Sequence, residues 1–196
     1  MTLFSEAYDF ARVMDYPAEM YIFDFTRDYD PDFINTKEWG IGRYNEKRNN
    51  MYVAPQYDNR RNIHMGIDIW TAAGSPVFSF YGGTISYLRD NNEKGNYGPT
   101  LVIEYDLKNR NLFALYGHLS RPSLKSWLPG DAVGRGEQIG TLGTAKVNGG
   151  WAPHLHFQLS VEDPGEADMP GVVADEEHDR ALRVYPDPRK VLGDLY

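Results

Sequence analysis

The sequence predicts a mainly β fold with a compact antiparallel sheet at its core. Nineteen glycines and twelve prolines among 196 residues supply many turns, which favours short strands over a helical bundle. Between about residues 62 and 162, short segments rich in β-branched and aromatic residues alternate with these turns and show little helical periodicity. A hydrophobic fraction of 41% is ordinary for one globular domain of this length.

The first 50 residues are acidic and aromatic, and their pattern is less regular. A short helix with Ser5 as its N-cap is predicted in SEAYDFARVM, and a strand is predicted in EMYIFDFT. The polar run RDYDPDFINTKEW predicts a loop. We therefore expect residues 1–50 to form an N-terminal extension that packs on or beside a domain of residues 51–196.

Strand patterns follow one another in the second part of the chain. Strands are predicted in GSPVFSF, GTISYL, TLVIEYD, LFALYGHL and HLHFQLSV, after an extended start in IHMGIDIW. The polar residues LKNRN predict a hairpin turn, and the closely spaced glycines of GDAVGRGEQIGTLG predict tight corners. Residues 162–181 predict a long acidic loop over the surface, and the tail predicts a short helix after Pro188.

Composition disfavours several classes of function. A net charge of -8 argues against partners such as nucleic acid or an anionic membrane, because phosphate binding needs a basic surface. The absence of cysteine removes disulfides, cysteine zinc sites and thiol nucleophiles. The first residues carry acidic side chains where a signal peptide needs a basic start and an apolar run. The sequence thus predicts a cytoplasmic protein if Met1 is the native start, and a cell-envelope protein if the chain is a trimmed form.

Two of the five histidines, His154 and His156, are neighbours in an apolar strand pattern. Because side chains alternate between the faces of a strand, both imidazoles point the same way, and Leu155 and Phe157 point into a core. Taken alone, such a doublet is also compatible with an exposed pair on a solvated face. Its meaning depends on the other histidines.

His64 and Asp68 stand four residues apart, and Gly66 with its flanking isoleucines disfavours a helix there. An extended segment with a kink at Gly66 would bring both side chains to one point, and imidazole with carboxylate suits Zn²⁺. His118 ends a predicted strand, where a neutral histidine bonded to the backbone is the alternative. His178 lies in an acidic run and is predicted to be solvated.

Taken together and in this order, these motifs resemble the M23 metallopeptidases, the lysostaphin/LytM-type zinc endopeptidases of peptidoglycan. The resemblance rests on HMGIDIW, YGHL, GDAVGRGEQIGTLG and APHLHFQ, and it runs from about Ile63 to Leu159. The segments DMPGVV, YPDP and YIFDFT resemble a subgroup whose peptidase domain also occurs fused to aminotransferase-type enzymes.

The resemblance implies a lysostaphin/LytM-type β core, one zinc ion, and a peptide or peptidoglycan-derived substrate with glycyl or D-amino-acid bonds. It implies that the metal ligands are His64, Asp68 and His156. It also implies that His118 and His154 line the site without binding metal. Since the chain has no H-E-x-x-H motif, these two histidines would carry the acid–base work.

Trp151 and Tyr57 depart from the family pattern. Trp151 stands where many members have a small residue, which predicts a reshaped substrate groove. Some members have a tyrosine before the first zinc histidine, and Tyr57 is the nearest candidate but its spacing does not fit. A non-catalytic M23-like module for peptide binding or regulation is the alternative function. A lipoyl or biotin carrier is disfavoured because Lys146 lacks the required turn context.

Overall fold

The structure, a computed structural model, describes residues 8–58, 60–108 and 110–196. Within these residues the chain forms strands β1 (Tyr21–Ile22), β2 (Gly40–Gly42), β3 (Ile63–His64), β4 (Ile67–Trp70), β5 (Pro76–Phe78), β6 (Gly83–Asn91), β7 (Gly98–Asp106), β8 (Asn111–Gly117), β9 (Ala132–Val133), β10 (Gln138–Thr141), β11 (His154–Ser160) and β12 (Val172–Val173). The short helices are α1 (Pro31–Ile34), α2 (Arg121–Leu124), α3 (His178–Val184) and α4 (Arg189–Leu192). Single 3₁₀ turns cover Pro55–Tyr57 and Asp175–Glu177.

Eight of these strands form one sheet in the order β1-β2-β4-β11-β8-β7-β6-β9. Its pairs are antiparallel apart from the parallel pair β1-β2 at one edge. Two smaller antiparallel pairs, β10-β5 and β12-β3, complete the strands. The prediction of a mainly β, antiparallel fold is confirmed, and so is the hairpin between β7 and β8.

Strand β11 lies inside the sheet between β4 and β8, and all seven of its residues are buried. On one face Leu155, Phe157 and Leu159 join the main apolar core. His154 and His156 alternate with them and therefore lie on the opposite face, as the period of two predicted. Burial of the apolar face fixes the strand register, and that register fixes the direction of both imidazoles.

The first described residues pack on the main core. The predicted helix is wrong over the described residues 8–14, where Ala11 N–H donates to Phe80 O and Val13 O accepts from Phe78 N–H. These bonds to neighbouring segments replace the helical ones, while Ser5 lies outside the described residues. Val13 is fully buried in the core. The division of the chain at residue 50 stays a prediction.

Two further segments differ from the predicted pattern. The expected loop RDYDPDFINTKEW contains α1, because the Asp30 carboxylate caps the N–H groups of Asp32 and Phe33 and Pro31 starts the helix. The expected strand EMYIFDFT is reduced to β1. The acidic loop of residues 162–181 carries β12, which pairs with β3, so this loop is anchored beside the site. The short helix after Pro188 is confirmed as α4.

Candidate metal centre

Three predicted ligand side chains meet where β3, β4 and β11 come together. His64 Nε2 lies 3.1 Å from His156 Nδ1 and 3.3 Å from Asp68 Oδ1. The third side of this triangle, from His156 Nδ1 to Asp68 Oδ1, is 3.0 Å. The break between β3 and β4 at Met65 and Gly66 turns His64 toward Asp68, and Asp68 is the antiparallel register partner of His156.

The triangle has the dimensions that a tetrahedral metal ion requires. With metal–ligand bonds of about 2.0–2.1 Å, neighbouring ligand atoms of a zinc tetrahedron lie about 3.3 Å apart. The donor set of two imidazoles and one carboxylate is also typical of catalytic zinc sites, which leave a fourth position open. Within the described part of the chain, this is the one group of histidine and acidic side chains so arranged. The residues present therefore fit a zinc ion.

Hydrogen bonds to neighbouring groups orient both imidazoles of the triangle. His64 Nδ1 lies 2.8 Å from the Arg43 carbonyl oxygen, which can only accept, so Nδ1 carries the proton and Nε2 keeps its lone pair. His156 Nε2 donates to Gln158 Oε1 at 3.0 Å, and the Gln158 amide donates in turn to Pro170 O. Such outer hydrogen bonds orient histidine ligands and set their tautomer.

Asp68 uses its two oxygens differently. Oδ1 faces His64 and His156, whereas Oδ2 accepts from Arg48 Nη1 at 2.7 Å. Burial opposes ionisation, but His64 and Arg48 hold the pKa of Asp68 well below its usual value. The carboxylate is therefore charged at neutral pH and presents one oxygen to the centre.

His118 and His154 lie side by side next to the triangle. Their ring centroids are 4.1 Å apart, and His154 stacks on Trp70 at 3.8 Å. His154 Nδ1 donates to Ala152 O at 2.8 Å, and His118 Nδ1 donates to Asn148 O at 3.0 Å. Since a carbonyl only accepts, the Nε2 atom of each ring keeps a free lone pair. His154 Nε2 lies 3.8 Å from Asp68 Oδ1, at the edge of the centre.

The five side chains of the centre are between 1% and 4% exposed. This burial lowers the pKa of His64 and of His154 to about 4, and the pKa of His118 falls well below its usual value for the same reason. These three imidazoles are therefore neutral at physiological pH. His118 also adopts a left-handed backbone with φ 62°, a conformation uncommon outside glycine.

A cavity of about 430 Å³ opens onto the centre. Aromatic side chains form part of its lining, namely Tyr52, Tyr57, Tyr97 and Trp151. Trp151, predicted to shape the substrate groove, packs edge-on against Tyr29 and Tyr52. Arg61, Glu166 and Asp168 add charge of both signs.

All five site residues predicted from the sequence come together in this region, whereas two other residues do not extend it. Tyr57 lines the cavity, but its hydroxyl donates to the Gly95 carbonyl. His178 lies partly exposed, with Nε2 2.6 Å from Asn45 Oδ1. Sequence reasoning missed Arg48 and Gln158. The period of two places Gln158 on the same face of β11 as His154 and His156, whereas no local pattern marks Arg48 as buried.

Gly66 leaves the space that His156 occupies. A Cβ atom at this position would lie 2.5 Å from His156 Cε1 and 2.9 Å from Phe157 O. Gly66→Ala is therefore expected to displace His156 and to weaken metal binding at least about tenfold, as disturbing a ligand's support commonly does. Chelator competition with Zn²⁺ would measure the dissociation constant. Gly82→Ala is the control, since its nearest neighbour would be Val133 O at 3.9 Å. Equal affinity of Gly66→Ala and the unmodified protein would contradict this account.

The chain is an antiparallel β domain with a His–Asp–His group that could hold a metal ion, and comparison with known proteins assigns the family. Residues 62–168 match Peptidase family M23, and the chain belongs to that family. The match includes all five predicted site residues.

Two curated relatives come from Vibrio cholerae serotype O1. Peptidoglycan DD-endopeptidase ShyB is 36% identical over 112 residues, which are 55% of this chain and 24% of ShyB. Peptidoglycan DD-endopeptidase ShyA is 34% identical over 99 residues, which are 50% of this chain and 20% of ShyA. The matches thus span about a quarter or less of the length of these relatives.

Among solved structures, the catalytic domain of lysostaphin from Staphylococcus simulans aligns with a TM-score of 0.51 and 20% identity. The alignment covers 85% of this chain and all of that domain. The two proteins therefore share a fold. Over residues 8–58, 60–108 and 110–196, no helix is both long enough and apolar enough to cross a membrane.

Proposed function

We propose that this chain is a zinc-dependent endopeptidase that hydrolyses peptide bonds of peptidoglycan cross-links or of related glycyl and D-amino-acid peptides. The observation that carries the proposal is the triangle of His64, Asp68 and His156 with two further neutral histidines beside it. Membership of Peptidase family M23 and the two relatives named as peptidoglycan DD-endopeptidases support it.

His64, Asp68 and His156 would hold the zinc ion. When bound, zinc polarises a scissile carbonyl and makes water nucleophilic at neutral pH. The neighbouring groups already orient both imidazoles and keep the carboxylate charged. Little rearrangement is therefore needed for metal to bind.

His118 and His154 would carry the proton transfers. Each ring is fixed by a backbone carbonyl at Nδ1, so its Nε2 atom can accept a proton from the attacking water. After accepting it, the same atom can donate that proton to the leaving amine. Burial keeps both rings neutral before the reaction, which leaves Nε2 available as a base.

The cavity supports a short peptide as the substrate. Its volume of about 430 Å³ is within the range of small-molecule pockets, and its aromatic lining includes Tyr97 and Trp151. Arg61 and Glu166 place charges of opposite sign at the cavity, which suits peptides with free carboxyl and amino groups. Stem peptides of peptidoglycan have this chemistry.

The purified chain, with its metal content measured by mass spectrometry, tests the proposal directly. We expect about one zinc ion per chain and cleavage of DD-cross-linked muropeptides or glycyl peptides that a chelator stops and added Zn²⁺ restores. A protein that binds zinc but cleaves neither substrate would support the alternative, a non-catalytic module that binds peptides or regulates a partner. A folded protein that binds no metal would contradict both the cofactor and the reaction.

A further inference from the structure

Arg48 is a fully buried cation beside the metal centre. Nη1 donates to Asp68 Oδ2 at 2.7 Å and to the Tyr52 hydroxyl at 2.9 Å, and Nε donates to Glu46 Oε2 at 3.0 Å. The guanidinium carbon also lies 4.8 Å from the centroid of the Phe25 ring. Burying a charge costs several kcal/mol in desolvation, so it persists only where its partners are fixed. Because a buried ion pair adds little to stability, the buried guanidinium points to a functional role.

The segment that carries Arg48 contacts two of the three ligand residues, although it lies outside the family match. Besides the Arg48 contact with Asp68, the Arg43 carbonyl accepts from His64 Nδ1 at 2.8 Å. The buried Glu46 carboxylate accepts from Arg43 Nη2 at 2.7 Å as well as from Arg48, and so ties these two residues together.

Backbone hydrogen bonds hold the same segment against β3. Asn45 N–H donates to His64 O at 2.7 Å, and His64 N–H donates to Glu46 O at 3.0 Å. Arg48 N–H donates to Asn62 O at 2.8 Å. The backbone that carries Arg48 is thus hydrogen-bonded to His64, one of the proposed ligand residues.

We propose that Arg48 is a positioning residue of the metal centre, and that the segment Arg43–Arg48 completes the site. This inference rests on the proposed function, since it concerns how the zinc ligands are held. A carboxylate can bind a metal through one oxygen or both. Because the guanidinium occupies Oδ2 of Asp68, the carboxylate would hold a metal through Oδ1 alone. Binding through one oxygen would leave a fourth position for a water or substrate, as catalytic zinc sites require.

Binding of Co²⁺, a spectroscopic substitute for Zn²⁺, tests this role without any substrate. Arg48→Met keeps an unbranched stem and removes every donor. We expect its visible Co²⁺ spectrum to change intensity as Asp68 becomes free to bind through both oxygens, and its affinity for Zn²⁺ to fall about 10–100-fold. Arg121→Met is the matched control, because Arg121 pairs with Asp90 at 2.8 Å on the surface. Its spectrum and affinity should equal those of the unmodified protein.

Arg48→Lys covers the case in which Arg48→Met does not fold. Lysine keeps the buried charge but cannot bond Asp68 and Glu46 through separate nitrogens, so the spectrum should shift in the same direction by less. The proposal is overturned if a folded Arg48 variant shows an unchanged Co²⁺ spectrum and a Zn²⁺ affinity within twofold of the unmodified protein. That result leaves the proposed function standing, whereas failure of the unmodified protein to bind either metal would remove the proposed function itself.

Discussion

Replacing His156 by alanine is expected to abolish metal binding and peptidase activity together. The substitution removes one of the three proposed ligands and leaves only His64 and Asp68 facing each other, which is too few to hold zinc in a catalytic site. A bound metal contributes several kcal/mol of transition-state stabilisation, so its loss should lower kcat/KM by at least about a thousandfold. Metal analysis after dialysis and hydrolysis of cross-linked muropeptides would measure the two effects.

His178→Ala is the matched control for this experiment. It removes the same side chain from a partly exposed position where Nε2 contacts Asn45 Oδ1. We expect it to keep both its metal and its activity. If His156→Ala also kept a full complement of zinc, His156 would not be a ligand and the proposed centre would be wrong.

Replacing His154 by alanine is expected to separate metal binding from catalysis. His154 lies on the same face of β11 as His156, but its Nε2 atom is 3.8 Å from Asp68 Oδ1, compared with 3.0 Å for His156 Nδ1. The variant should therefore retain its zinc and lose general acid–base catalysis, which contributes about 10²–10⁴-fold. The measurements are kcat on a cleavable peptide and the metal content of the same sample.

The stacking of His154 on Trp70 requires a check on folding, because alanine leaves a cavity beside the indole. Thermal unfolding and circular dichroism of the zinc-bound variant provide it. Loss of zinc from a folded His154→Ala variant, to the extent seen for His156→Ala, would make His154 a ligand and reverse the assigned roles. Full activity of the variant would remove His154 from the reaction altogether.

Much of the candidate site follows from local patterns in the sequence. The period of two in HLHFQLS places His154 and His156 on one face, and burial of Leu155 and Phe157 makes that face definite. The glycine between His64 and Asp68 predicted a kinked, extended segment, and the structure has a break between β3 and β4 there. The strands between about residues 62 and 162 were predictable because their β-branched and aromatic residues favour strands and are also the residues that pack in the core.

Local patterns failed where contacts with distant segments decide the conformation. Residues 8–14 have helix-forming composition, but their backbone bonds to Phe78 and Phe80 instead. The run NEKRNN looks like an ordinary charged surface segment, and yet Arg48 within it is fully buried against Asp68 and Glu46. Such burial depends on partners that are remote in sequence, which no local pattern records.

The sequence by itself therefore determined the mainly β class, the residue types of the candidate site and the face from which β11 presents its histidines. Only the tertiary structure decided which atoms meet. In each histidine, one ring nitrogen donates to an oxygen acceptor and the other faces the centre. For His64 the acceptor is Arg43 O, and for His156 it is Gln158 Oε1. Which oxygen Asp68 presents to His64 and His156 depends on Arg48 in the same way. Hydrogen bonds act over about 3 Å, so they are settled by the packing of the whole chain.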